Sequence, residues 1–392
     1  MPKINLKEKG EKALDRNIRI VSIIATSGCN LFCSYCYEKN ELRDNQIMPL
    51  SLAKEAIGYY MNEEDSDILE IHFFGGEPFL AFPFIHDVVD WFHSQSFEKK
   101  HRFLIGTNGT ILNEEIKEWL YKNRKCVHIG LSLDGTKTAH DLSRSNSYDA
   151  VHKNLPFFRK YWPQQPAKMT VCADTIPYVA DSIIEMEEMG LNFTANIAFE
   201  NHWGDESKKA KLLEIYEDQL FRLINYYVER PHLYPVTPML TAIPEYLGIS
   251  SLNEMRTDKI TRFCGAGHEM VVIDVDGKRY PCHRFLPWIT NRNVPKGDIN
   301  CQTAWKPETC AQCKLVHSCP TCAGFNWEIN GDTGIRTTYH CEAFKLEVMA
   351  SCILEWKRMR RQMENIDSLP NEDKTRMERR LSAIWELIEN GI

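Results

Sequence analysis

The chain has 392 residues, a net charge of -7, 43% hydrophobic residues and 14 cysteines, enough to bury a large core and to make more than one domain. Its acidic balance argues against a general nucleic-acid binder, which shows a basic footprint. No apolar run reaches the length of a membrane span, and the charged start Met1-Pro2-Lys3-Ile4-Asn5 lacks the apolar segment of a signal peptide, so a cytoplasmic protein is expected.

The elements begin with an apolar strand at 19–25, followed at once by Ser27-Gly28-Cys29-Asn30-Leu31-Phe32-Cys33-Ser34-Tyr35-Cys36-Tyr37. Three thiols spaced C-x3-C-x2-C on one tight loop suit an iron–sulfur cluster with one iron left without a protein ligand, free to chelate a small molecule. Zinc sites more often use paired C-x2-C. Tyr35 offers an aromatic face beside the third thiol. A helix is expected at 51–62 with Ser51 as its N-cap. A strand at 68–74 ends in Gly75-Gly76-Glu77-Pro78, a helix covers 84–94, and a strand at 102–106 ends in Thr107-Asn108-Gly109-Thr110. A helix at 113–121 leads to a strand at 127–133 closed by Asp134-Gly135. Strands at 168–174 and 192–199 flank a helix at 180–189. Six βα units of this kind predict an α/β fold, a parallel sheet curled into a partial (β/α)6 barrel, with its site at the C-terminal strand ends. The glycine and polar punctuation falls at those ends.

Residues 205–259 carry helical and proline-punctuated patterning and are expected to bridge the barrel mouth, mainly by core packing. The cysteines then cluster again. Seven of them are Cys264, Cys282, Cys310, Cys313, Cys319, Cys322 and Cys341, whereas Cys126, Cys172, Cys301 and Cys352 stand apart. A strand at 270–274 turns at Asp276-Gly277, a hairpin signal, and returns toward Tyr280-Pro281-Cys282. Two C-x2-C pairs, at Cys310/Cys313 and Cys319/Cys322, are a strong metal signal, for a cluster or for a zinc ribbon. The tail is helical. Its basic stretch Lys357-Arg358-Met359-Arg360-Arg361 reads as a solvated helix face, or else as a contact for an acidic leader peptide.

The three-cysteine loop and the post-strand motifs of residues 18–200 resemble those of the radical S-adenosylmethionine (SAM) enzymes. Residues 260–345 resemble the SPASM extension of members that modify peptides and proteins. The resemblance implies a partial barrel over 19–204 after an N-terminal extension of 1–18, a SPASM auxiliary-cluster domain over 260–345, and a helical segment over 346–392. It also implies three [4Fe–4S] clusters. Cys29, Cys33 and Cys36 would hold the SAM-binding one, and Cys310, Cys313, Cys319 and Cys341 one auxiliary cluster. Cys264, Cys282 and Cys322 would hold the other, with its fourth position open or completed by Cys301. Cys322 arrives one residue early for the family spacing, and Met270 stands where sulfatase-maturing relatives carry a further cysteine.

SAM would be held by Gly75, Gly76, Glu77 and Pro78, with Glu77 on the methionine amino group, and by Tyr35, Asn108, Ser132 and Asp134. Arg144 would grip the SAM carboxylate, and Asn196 and Glu200 would close the nucleoside side. The implied activity is hydrogen abstraction from a peptide or protein by a 5′-deoxyadenosyl radical. Maturation of a ribosomally made peptide by a thioether or carbon–carbon crosslink is expected. The alternatives are formylglycine formation in a sulfatase, and a non-catalytic iron–sulfur or zinc protein. In sulfatase maturases an acidic base follows the hairpin cysteine, where this chain has His283. A low-potential donor of flavodoxin or ferredoxin type would supply electrons. The N-terminal extension is too short for the leader-recognition domain that many peptide maturases carry in front, so leader recognition, if required, is expected from elsewhere or from a separate protein.

Overall fold

The computed structural model describes residues 17–38, 45–63, 65–200, 203–241, 264–295, 299, 306–316, 319–363 and 371–390. Strand β1 (Ile18–Thr26) is followed by α1 (Leu50–Asn62), β2 (Ile68–Gly75), α2 (Phe82–His93), β3 (Lys100–Thr107), α3 (Glu114–Asn123) and β4 (Val127–Leu131). Three short helices follow, α4 (Lys137–Ser143), α5 (Tyr148–His152) and α6 (Leu155–Tyr161). Then come β5 (Ala167–Val171), α7 (Val179–Glu188) and β6 (Phe193–Ile197). All neighbouring pairs from β1 to β4 are parallel, as is β5 with β6. A parallel bridge from Ser132 to Lys168 joins the two runs into one curved wall.

Alternation along β2 separates a core face from an inner face. Leu69, Ile71 and Phe73 are fully buried in the main core, while Glu70, His72 and Phe74 take the opposite face. That inner face is polar low in the barrel: Glu70 accepts from His72 at 3.0 Å and pairs with Arg102, and Gln165 meets His128 at 3.1 Å. Burial and its polar partners together leave Glu70 at about 2, because the His72 and Arg102 hydrogen bonds outweigh desolvation.

Some local expectations need correction. Ser51 is not the cap of α1: Pro49 occupies that position, and no side chain caps the helix. Proline pre-sets the backbone there, so the helix starts one residue before Ser51. Asn113 does cap α3, accepting from the Ile116 amide at 2.9 Å. The strand expected at 168–174 ends at Val171, because Cys172 and Thr175 bond to each other's backbone and turn the chain into a 3-10 segment, Ala173–Tyr178.

Helix α8 (Glu206–Glu229) carries Tyr216, Leu220, Leu223 and Tyr227 into the main core. It packs on the 173–178 segment and α7 rather than across the barrel mouth, and gives no residue to the cavity described below. The short strand β7 (Thr237–Pro238) adds to β6. Then β8 (Met270–Ile273) forms the expected hairpin with β9 (Arg279–Tyr280), Val272 opposite Tyr280. It also pairs in parallel with β1, Ile20 opposite Met270 through Ile23 opposite Ile273. The cysteine-rich region is thereby stitched into the barrel sheet.

Short helices α9 (Pro287–Thr290), α10 (Glu308–Ala311) and α11 (Ala323–Asn330) lead to the long α12 (Cys341–Met363) and α13 (Asn371–Asn390). The basic stretch is neither a bare solvated face nor a free patch. Arg358 donates to the carbonyls of Tyr227, Arg230 and Leu233, and Arg361 to that of Val228 at 2.6 Å. Cations here satisfy the unpaired last carbonyls of α8 and meet the negative end of its dipole. No described helix is long and apolar enough to cross a membrane.

Candidate functional site

A cavity of about 880 Å³ opens at the C-terminal ends of the strands. Its walls include Cys29, Cys33 and Cys36, Gly75 and Gly76, Asn108, Ser132 and Arg144, with Asn196 and Glu200 on the far side. The fold therefore brings most of the residues expected from sequence into one place.

The cysteine loop is held at its stem and its crown. Ser27 and Gln46 exchange hydrogen bonds at 3.0 and 3.1 Å, Phe32 N–H donates to Ser145 Oγ at 2.9 Å, and Ser34 N–H to the Ser143 carbonyl at 2.8 Å. The Gly-Gly pair lies against this loop. Gly76 N–H donates to the Thr26 carbonyl at 3.1 Å and Glu77 N–H to that of Gly28 at 2.8 Å. A Cβ on Gly76 would stand 2.1 Å from Gly28 O and 2.8 Å from Cys29 Cβ, and Gly75 has φ +126°. Only glycine permits so close a backbone approach. Burial, with the neighbouring thiols adding to it, pushes Cys29 up to about 11 and Cys36 up to about 12.

Glu77 and Pro78 do not line the cavity. The Glu77 carboxylate is turned to the end of β3, accepting from Phe79 N at 3.1 Å, Thr107 Oγ1 at 2.8 Å and Asn108 N at 2.7 Å. Burial raises it to about 7 against those hydrogen bonds. As folded here, it is a brace between two site loops. Asp134 is likewise not a lining residue but a hub. One oxygen accepts from Tyr35 OH at 2.7 Å, Ser143 Oγ at 2.9 Å and Arg144 Nε at 2.7 Å, and the other from Thr170 N at 2.9 Å. The Arg144 guanidinium stands 5.3 Å from the Tyr35 ring centre and 4.0 Å from Cys33 Sγ. Asn108 donates to Asn30 Oδ1 at 2.9 Å, linking the third strand end to the loop.

Sequence reading missed other lining residues. Gly106 and Gly130 are paired across β3 and β4 and leave a stretch of bare backbone. Their place on the inner face follows from strand alternation, a signal that was available. Lys168 and Thr170 line the cavity from β5 in the same way. Arg284 had no local signal. It pairs with Glu200 and with Glu328 (3.0 Å), and covers the Tyr37 ring at 4.2 Å. It also leaves Gly324 no room for a side chain, whose Cβ would lie 2.2 Å from Arg284 Cβ.

The remaining cysteines come together as two sets. Burial pushes Cys319 up to about 12, with Cys341, Cys313 and Cys310 near enough to add to the shift. Burial raises Cys282 too, with Cys322 and Cys264 acting on it. All 13 described cysteines are free thiols, and among the described residues no three His, Cys, Asp or Glu side chains converge closely enough to hold a single metal ion. Cys301, the alternative ligand, lies outside the described residues. Of the others, Cys352 is buried in a small apolar core with Phe344 and Ile384. A cluster with SAM fits the cavity's residues: three thiols beside one another, bare glycine backbone, and a fixed guanidinium for a carboxylate.

Residues 23–189 match the family model of the Radical SAM superfamily. The cysteine-type anaerobic sulfatase-maturating enzyme of Clostridium novyi (strain NT) is 24% identical over 350 residues, 82% of this chain and 91% of that one. The radical SAM cyclopropyl synthase TigE of Paramaledivibacter caminithermalis is 22% identical over 382 residues, 88% of this chain and 75% of TigE. A shorter match, 36% over 110 residues, is to a Methanocaldococcus jannaschii protein, MJ0907, of which this chain spans 36% and which spans 28% of this chain. Among solved structures, anSMEcpe with bound AdoMet superposes with a TM-score of 0.65 at 19% identity, over 92% of this chain and 98% of that one. Streptococcus suis SuiB bound to its precursor peptide SuiA gives 0.54 at 17%, over 85% and 78%. With the curved parallel sheet and its cysteine loop already in view, these matches identify residues 23–189 as a radical SAM domain, in an enzyme similar over most of its length to protein and peptide maturases.

Proposed function

We propose that this enzyme matures a ribosomally made peptide by forming a thioether or carbon–carbon crosslink. In this reading Cys29, Cys33 and Cys36 hold the SAM-binding cluster, Cys310, Cys313, Cys319 and Cys341 a second, and Cys264, Cys282 and Cys322 a third. The observation that supports it is the grouping of Cys264, Cys282 and Cys322, which lie near enough to act on one another electrostatically. An iron left open there offers a place for a substrate thiolate or backbone atom. The similarity to TigE and the likeness to SuiB with its precursor peptide support a peptide as substrate.

Bound at this site, SAM and a reduced [4Fe–4S] cluster supply a 5′-deoxyadenosyl radical that removes hydrogen from an unactivated carbon. The chain's own residues prepare that event. Asp134 fixes the direction of Arg144, which is aimed to take a carboxylate, and of Tyr35 beside the loop. Gly106 and Gly130 admit a flat ring against bare backbone. Tyr37, Phe74 and Phe199 give the cavity apolar walls. Glu77 ties the end of β3 to the Gly-Gly turn and so keeps the thiols in register.

A second reading, formylglycine formation in a sulfatase, is favoured by the near full-length similarity to the Clostridium enzyme. The deciding experiment is anaerobic reconstitution with iron and sulfide, then SAM, dithionite and candidate peptides. The proposal expects about twelve irons per chain, release of 5′-deoxyadenosine, and a peptide product that loses two hydrogens and retains its sulfur. An aldehyde product captured by a hydrazide would establish the second reading instead. Zinc without deoxyadenosine release would overturn both.

A further inference from the structure

Arg284 reaches the cavity from the cysteine-rich region. It is buried and follows Cys282 by two residues, within the 3-10 segment His283–Phe285. Its guanidinium pairs with Glu200, just past β6, and with Glu328 of α11 at 3.0 Å. The same group lies 4.2 Å from the ring centre of Tyr37 and 5.1 Å from that of Phe325. Tyr37 directly follows Cys36, and Tyr37, Glu200 and Arg284 all line the cavity. One side chain therefore meets the cysteine loop, the end of β6 and α11.

The stem of Arg284 is gripped from the other side. Cys322 is the N-cap residue of α11, and Gly324, two residues on, lies so close that a Cβ there would stand 2.2 Å from Arg284 Cβ. Burial raises both Cys282 and Cys322; against it the Arg284 amide acts on the first sulfur and the Arg284 charge on the second. A planar guanidinium suits this place, since its fork serves two carboxylates while its face takes a ring. Without it, two largely buried carboxylates would face each other with no counter-charge. Glu200 and Tyr37 thus keep their places in the cavity wall only while Arg284 keeps its own.

We propose that Arg284 is a positioning residue that couples the Cys264, Cys282 and Cys322 set to the SAM site. Loading of that set fixes Arg284, and Arg284 fixes Tyr37 and Glu200 around SAM, so SAM binds more tightly when the set is filled. This rests on the assignment of the three thiols to a cluster of their own. The test measures SAM affinity by equilibrium dialysis, without turnover, on full-length reconstituted protein. Cys322→Ala and Arg284→Met should each weaken SAM about tenfold. The double variant should lose little more than either, because both break one chain of contacts. Arg284→Lys keeps the charge without the fork and should recover part of the affinity. Gly324→Ala pushes Arg284 from its seat without altering a thiol or a cavity residue, and should lose affinity as Arg284→Met does.

Losses that multiply in the double variant, to about a hundredfold, would mark two independent effects and overturn the coupling. Full SAM affinity in Cys322→Ala or in Arg284→Met would overturn it too. The electron paramagnetic resonance signal of the reduced protein separates positioning from general damage: SAM should alter it in Arg284→Met as in the unsubstituted protein, at about tenfold higher SAM. Thermal midpoints check folding, and if Arg284→Met fails to fold, Arg284→Gln takes its place. Iron per chain reports the underlying assignment separately, with a fall of about four expected in Cys322→Ala. Unchanged iron there would refute the third cluster and the coupling with it; a fall in iron with unchanged SAM affinity would refute the coupling alone.

Discussion

Gly76→Ala would strike the contact between the Gly-Gly turn and the cysteine loop. The new methyl would stand 2.1 Å from Gly28 O and 2.8 Å from Cys29 Cβ, and neither is the end of a flexible side chain. Relief requires the two backbones to part by about 1 Å. That movement removes the 2.8 Å bond from Glu77 N–H to Gly28 O, worth about 1 kcal/mol, and adds packing strain of about 1–3 kcal/mol. A destabilisation of about 2–4 kcal/mol is expected. The functional effect is larger, because displacing a reacting site by about 1 Å costs on the order of 100-fold in rate. Gly58→Ala is the control: nothing lies within 4 Å of a Cβ there, and in the middle of α1 alanine should stabilise by about 0.5–1 kcal/mol. The assays are iron and sulfide per chain, the rate of deoxyadenosine release and the thermal midpoint, all under anaerobic conditions. A Gly76→Ala protein with unaltered iron content and rate would refute the reasoning that backbone proximity positions the thiols.

Other outcomes follow from other parts of the structure. Burial lifts Glu347, which accepts from Tyr216 OH at 2.8 Å between α12 and α8, to about 8. The folded state keeps a proton that the unfolded chain releases, so stability falls as pH rises from about 4.5 to about 8, by roughly 1.4 kcal/mol per unit within that window. Glu347→Gln should flatten this slope and raise the thermal midpoint near pH 8; parallel melting profiles for the two proteins would contradict it. Asp134→Asn leaves the buried Arg144 without its counter-charge and sets an amide against existing donors, a loss of about 3–5 kcal/mol. SAM binding measured by equilibrium dialysis should weaken at least about tenfold; unchanged affinity would show that Arg144 needs no anchor. Cys29→Ala should abolish SAM cleavage, and Cys310→Ala should retain uncoupled cleavage while blocking peptide product. Cluster loss also removes folding energy, so soluble folded protein is the first check.

Periodic and punctuating signals made much of the molecule readable in one dimension. The strands of the barrel, the thiol loop after β1 and the glycine and polar turns after β2, β3 and β4 follow from local patterns, because strand period and turn chemistry are local properties. Cysteine spacing likewise marked two separate groups along the chain, while the finer division of the second group came from the family resemblance. Side-chain direction is not local in this sense. Glu77 and Asp134 sit in the expected motifs, yet their carboxylates turn away from the cavity, since amides and hydroxyls from β3, α4 and β5 supply their partners. Strand alternation puts Lys168, Gly106 and Gly130 on the inner face, but it is curvature that turns those positions of separate strands toward one space.

The longest-range features had no sequence signal. The pairing of β8 with β1 joins residues about 250 positions apart, and its energy comes from backbone hydrogen bonds that any apolar strand offers. Arg284 reaches Glu200, Glu328 and Tyr37 from a loop whose own neighbours say nothing of them. Arg358 and Arg361 read as a surface charge run until α12 is laid along α8, where unpaired carbonyls receive them. Residue type and spacing declare which chemistry a chain carries, because ligand number and turn geometry are set over a few residues. Which group faces the cavity, and which braces the wall behind it, depends on partners that only packing brings near.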